Sequence, residues 1–121
     1  MSTAAEQTPT DAHLMHIVTR IDNTICMTLS GQLDLVVEDQ LAEVVAEAAS
    51  PPEIEALHFD LTAITFIDSS GLRGLIRSSQ MALDRDLAFT VEFTEKGPVA
   101  RLLDVTGLRA HFTQAPLSAQ S

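Results

Sequence analysis

The sequence is poor in cysteine, in positive charge and in uninterrupted apolar runs, and each shortage excludes something. One cysteine, Cys26, in 121 residues rules out an internal disulfide. Its place inside a strand-like run points to a buried thiol that behaves as a small hydrophobe, which fits a reducing cytoplasm. Only 7 Lys and Arg stand against 17 Asp and Glu, a net charge of -10. That balance argues against direct DNA binding and against an anionic membrane surface, because both reward dense cations. The expected partner is therefore a protein. Charges interrupt every apolar stretch well short of the roughly 20 residues a spanning helix needs, so no membrane insertion is expected. The opening MSTAAEQTPTDAH has no basic n-region and no apolar h-region, so it does not read as a secretory signal. Residues 1–12 are expected to form a disordered N-terminal tail.

Catalytic signatures are also missing. The four histidines, His13, His16, His58 and His111, are scattered without metal-ligand spacing. No Gly-x-Ser-x-Gly elbow surrounds Ser70, and no Gly-rich Lys/Thr phosphate loop is present. The expectation is a chain that is not an enzyme, with no catalytic residue, no metal and no cofactor.

What is there is uneven charge and regular patterning. Residues 1–72 carry 12 acidic side chains against Arg20 alone, whereas residues 73–121 carry six basic and five acidic. This polarity either steers a basic partner surface or only keeps the chain dissolved. His13–Arg20 and Ile25–Leu29 show short apolar alternation around the turn pair Asp22-Asn23, which predicts a hairpin, with Gly31 closing its second strand. Leu41, Val44, Val45 and Ala48 recur at helical spacing over 38–49, and Ser50-Pro51-Pro52 ends that helix. Leu57, Phe59 and Leu61 alternate as a third strand, with His58 on its other face, and Ile64-Thr65-Phe66-Ile67 carries apolar bulk on to Asp68. A second helix is expected from Ser70 or Gly71, capped by Ser70, with Leu72, Leu75, Ile76, Ser79 and Leu83 on its inner stripe. Phe89, Val91 and Phe93 make a fourth strand, Gly97-Pro98 opens a third helix, Gly107 stops it, and residues 110–113 suggest a last short strand. Strands alternating with helices predict an α/β fold, a mixed and mostly parallel sheet of 4–5 strands packed by about three to four helices.

The segment most suggestive of function is Phe66-Ile67-Asp68-Ser69-Ser70-Gly71-Leu72, where a hydrophobic run stops at polar residues that open an amphipathic helix. Helix starts direct unpaired N–H groups outward and favour negative charge, so a phosphate on Ser70 fits there without unfolding. Gly71 leaves room for a partner's backbone, and Arg73 and Arg77, one and two turns on, can screen a phosphate or grip carboxylates. From the local pattern alone, the same residues also read as a plain capped loop.

The run Leu29-Ser30-Gly31-Gln32-Leu33-Asp34, then 57–61 and 66–72, then 99–108, in that order and spacing, resembles the STAS domain family and especially its bacterial anti-sigma-factor antagonists. The resemblance implies a STAS domain over 13–113, with 114–121 as a flexible C-terminal tail. It implies that Ser70, the second serine of Asp-Ser-Ser-Gly, accepts phosphate from an anti-sigma factor serine kinase. A serine phosphatase acting on the phosphorylated form would reset this partner switch, which regulates a sigma factor and hence transcription in a stress response. The partner-binding set it suggests is Asp34, Asp68, Ser69, Gly71, Leu72 and Arg73. Asp34 reads equally as a turn or cap residue, Asp68 as a cap, and Ser69 as locally bonded. The alternative within the family is a STAS binding subunit of a lipid-transport ABC complex or of a stress-signalling scaffold. Gln32 stands where the family commonly has glutamate, a glycine turn is missing near Asp84-Arg85-Asp86-Leu87, and Thr113–Ser121, with Pro116 inside, is a poor final helix.

Overall fold

The structure is a computed structural model and describes residues 14–34 and 38–112. Strands β1 (Leu14–Ile21) and β2 (Thr24–Leu33) form the expected hairpin. The chain reverses at Asp22, whose φ of 55° is left-handed, a conformation that Asp tolerates because its short polar side chain bonds locally. Helix α1 (Glu38–Ala48), strand β3 (Ala56–Ile67), helix α2 (Ser69–Asp84), strand β4 (Ala88–Glu92) and helix α3 (Pro98–Thr106) follow, then a 3-10 turn over Arg109–His111. Sheet order is β1-β2-β3-β4. β1 runs antiparallel to β2, and β2, β3 and β4 are parallel, because α1 and α2 return the chain to the starting edge after each strand.

Ile25, Met27 and Leu29 of β2 share a face with Leu57 and Phe59 of β3 and Val91 of β4, and none of the six is more than 4% exposed. They form one cluster with Leu41 and Val45 of α1, Leu72, Leu75 and Ala82 of α2, and Val99 and Leu103 of α3. Full burial of each large apolar side chain contributes about 1.5–3 kcal/mol, so this cluster dominates stability. On the other face of the sheet Cys26, His58 and Thr90 stand in register across β2, β3 and β4. His58 is buried, with Nδ1 2.7 Å from Thr90 Oγ1. Burial pushes the Cys26 thiol pKa up, as an inert structural cysteine requires. Among the described residues no helix is long and apolar enough to cross a membrane.

Several local expectations change. Gly31 does not close β2: it takes φ 101° inside the strand, and pairing continues to Leu33 through two register shifts that leave β3 with extra residues. Those extra residues break the alternation, so Ile64 and Ile67 are buried while Thr65 and Phe66 face out, Phe66 being 47% exposed. On α2 the inner stripe is rotated: Ser78 and Ala82 are buried and Leu83 is 66% exposed. Ser78 satisfies its hydroxyl on the Gly74 carbonyl at 3.0 Å, which removes the cost of burying it. The missing glycine before β4 is replaced by Asp86, which itself adopts φ 59°. Residues 110–112 are not a strand, because the 3-10 turn tucks Phe112 into the core. Residues 1–12, 114–121 and the stretch Thr113–Ser121 lie outside the described residues.

Candidate functional site

β3 gives way to α2 within a single residue, and that residue organises the site. Asp68 is extended, with φ -119° and ψ -172°, and its Oδ1 accepts the Gly71 N–H at 2.9 Å. Asp68 is thus the N-cap, and the expectation that Ser70 caps the helix is corrected. The reason is steric and local. Helical geometry begins at Ser69, so Ser70 is already the second residue inside the first turn, and the flanking N-cap place, whose side chain bonds the third helical N–H, falls to Asp68.

Releasing Ser70 from capping leaves its hydroxyl for other use. Ser70 is half-buried, and its Oγ accepts a hydrogen bond from Arg73 Nη2 at 3.3 Å. Ser69, beside it, is exposed. The N–H groups of Ser69 and Ser70 have no preceding helical turn to bond, and the helix dipole adds partial positive charge at the same spot. Arg77 is exposed one turn beyond Arg73.

Gly71 serves the inside of the protein. A Cβ there would lie 2.0 Å from the Leu33 carbonyl oxygen and 2.7 Å from its carbon, so only glycine lets α2 start against the end of β2. The space expected for a partner's backbone is filled by Leu33. Leu72 is likewise turned inward, 5% exposed, in the core cluster. Its N–H bonds the Asp68 carbonyl at 2.9 Å. The Asp68 N–H in turn reaches the Leu33 carbonyl at 3.4 Å. Leu33 pairs with Ile67, so Asp34, the next residue, is half-buried and borders the start of α2. Asp68, Ser69, Ser70 and Arg73 thus adjoin at the start of α2, with Gly71 and Leu72 buried beneath them, and Asp34 follows Leu33, whose carbonyl abuts Gly71.

Phe66, which the sequence counted only as apolar bulk leading to Asp68, is exposed and paired in register with exposed Gln32. An apolar run of four residues gives no sign of which members face out once a bulge interrupts the alternation.

The STAS domain family model matches residues 16–120. Among solved structures, an anti-sigma factor antagonist from Mycobacterium paratuberculosis is similar at 29% identity and a TM-score of 0.68, over 89% of this chain and 89% of that one. The anti-sigma factor antagonist SpoIIAA in its unphosphorylated form aligns at 15% identity with a TM-score of 0.67, over 88% of this chain and 92% of that one. RsbS of Moorella thermoacetica aligns at 18% and 0.66, over 83% and 85%. These last two show the common fold. No curated protein matches the sequence.

Proposed function

Because the chain belongs to the STAS domain family, we propose that it is an anti-sigma-factor antagonist switched off by phosphorylation of Ser70. Unphosphorylated, it binds an anti-sigma factor that is also a serine kinase, and that binding releases the sigma factor. The kinase passes the γ-phosphoryl group of ATP to Ser70 Oγ, the hydroxyl proton is lost, and ADP departs. The phosphorylated chain no longer binds. A separate serine phosphatase hydrolyses the ester and restores the hydroxyl.

The observation that carries this reading is the Ser70 hydroxyl, half-buried at the surface and relieved of capping by Asp68. A cap hydroxyl is tied to backbone donors, whereas this one is bonded to an exposed arginine side chain. A phosphate there adds about -1.5 to -2 charges and three acceptor oxygens at the point of contact, so one covalent event changes both volume and charge. Asp34, Asp68, Ser69 and Arg73 are proposed to complete the contact rim, and Gly71 and Leu72 to hold it from below. The likeness to the mycobacterial antagonist supports the general role.

The test uses the cognate anti-sigma kinase, ATP and the full chain. Ser70→Ala is expected to bind as the parent does and to take no phosphate, whereas Ser70→Asp loses at least about tenfold in affinity, ~1.4 kcal/mol, by titration calorimetry. Phosphate mapped by mass spectrometry to another residue, with Ser70 unmodified, defeats the proposal. Capture of an ABC-type ATPase in place of a kinase moves the chain to the lipid-transport branch of the family.

A further inference from the structure

We propose that Arg73 is the intrachain ligand of the phosphate on Ser70, so that modification turns an arginine of the contact rim into a clip over the phosphate. This rests on the phosphorylation reading above. Arg73 follows Ser70 by three residues on α2, a spacing that places two helical side chains side by side. Its Nη2 already donates to Ser70 Oγ at 3.3 Å. In the unmodified chain this is a bond from a charged donor to a neutral hydroxyl. When Oγ becomes a phosphoester, three acceptor oxygens with most of a double negative charge come within reach of the same guanidinium, whose planar fork can engage two of them.

Other charges nearby set the terms of the competition. Arg77 is the next cation on the helix, but at seven residues from Ser70 it lies ~10 Å further along the axis. Asp68, at the end of β3, holds its carboxylate on the Gly71 N–H, and Asp34, at the end of β2, borders the helix start. Both carboxylates disfavour the phosphate dianion, and Arg73 favours it. The second ionisation of the phosphate therefore reports whether Arg73 is its ligand. A closed clip also removes Arg73 from the docking rim, so phosphorylation withdraws one contact while it adds repulsive charge, with no refolding of the core.

Phosphoserine is installed at position 70 of the full chain by genetic encoding, so the measurement depends on no kinase. Phosphorus NMR then follows the phosphate through its second ionisation, near about pH 6. Arg73→Gln is expected to raise the midpoint by about 0.5 pH unit, a full charge effect reduced for solvent exposure. Arg73→Lys, which keeps the charge and loses the fork, is expected to retain part of the lowering. Arg77→Gln is expected to leave the midpoint within about 0.1 unit. A midpoint unmoved by Arg73→Gln, or moved equally by Arg77→Gln, overturns the assignment. Failure of any kinase to modify Ser70 defeats the proposed function instead, and it is read separately by mass spectrometry.

Discussion

Where β3 enters α2 and where β4 enters α3, two parallel strands of one sheet run into helices at the same edge, yet the two junctions are closed by different means. The first uses a side chain: Asp68 caps the helix through Gly71, and the first turn is polar and carries a hydroxyl at the surface. The second uses backbone restriction. Gly97 caps α3 with no side-chain bond, and Pro98 at the helix start presets φ while lacking the N–H that would be left over. The loop before it is fastened by Arg109. That guanidinium bonds Asp104 of α3 through Nε at 2.7 Å and Nη2 at 3.2 Å, bonds Glu95 of the loop at 3.0 Å, and lies 5.4 Å from the centroid of Phe93. Where a proline and an ion-pair cluster hold a junction, the helix start needs no polar side chain. Where a carboxylate holds it, the neighbouring hydroxyl stays addressable.

The largest expected difference between the junctions is in their glycines. Gly71→Ala forces a Cβ against the Leu33 backbone, which cannot move aside as a flexible side chain would, and is expected to lose ~3 kcal/mol or more in urea unfolding. Gly97→Ala meets Thr94 at 3.3 Å at an ordinary negative φ, and is expected to stay within about 1 kcal/mol of the parent. Equal losses at the two sites would erase the distinction drawn here. Asp68→Ala is expected to cost ~1 kcal/mol and to fray the start of α2 in amide hydrogen exchange, with Asp68→Asn losing less because the amide oxygen still caps.

The smallest effect belongs to the second junction. Arg109 holds the Asp104 carboxyl below the usual carboxylate range, chiefly through the side-chain hydrogen bond. A depressed native pKa means that the contribution of this pair is present above the ordinary carboxylate value and fades as pH falls through the lowered one. Arg109→Gln is expected to return the Asp104 midpoint to the ordinary range in an NMR titration, without altering the amide shifts of Asp68–Leu72. Shifts at both junctions would reveal a coupling that the separate fastenings argue against.

Much of this architecture could be read from residue order. The hairpin, α1 over 38–48, the third and fourth strands, and α3 between Gly97 and Gly107 all follow from local signals that act within a few residues: turn chemistry, apolar period, proline and glycine at helix ends. Gly107 is the clearest case, left-handed at φ 74° where the helix stops. The readings that changed share another cause. Gly31 lies inside a strand because β3 offers it a partner across a bulge. Asp86 stands in for a glycine because the turn accepts its left-handed backbone, and Phe112 leaves an expected strand because the core has a place for it.

At the site the division is the same. Hydrophobic period and the order of the motifs, properties of the chain itself, determined the α/β class and the STAS family. Why residue 71 has no side chain was decided by how the end of β2 packs against the helix start, since a Cβ there would meet the Leu33 backbone. That contact joins residues 38 positions apart, and a carbonyl at Leu33 leaves no trace in the identity of its neighbours until the fold brings it to Gly71.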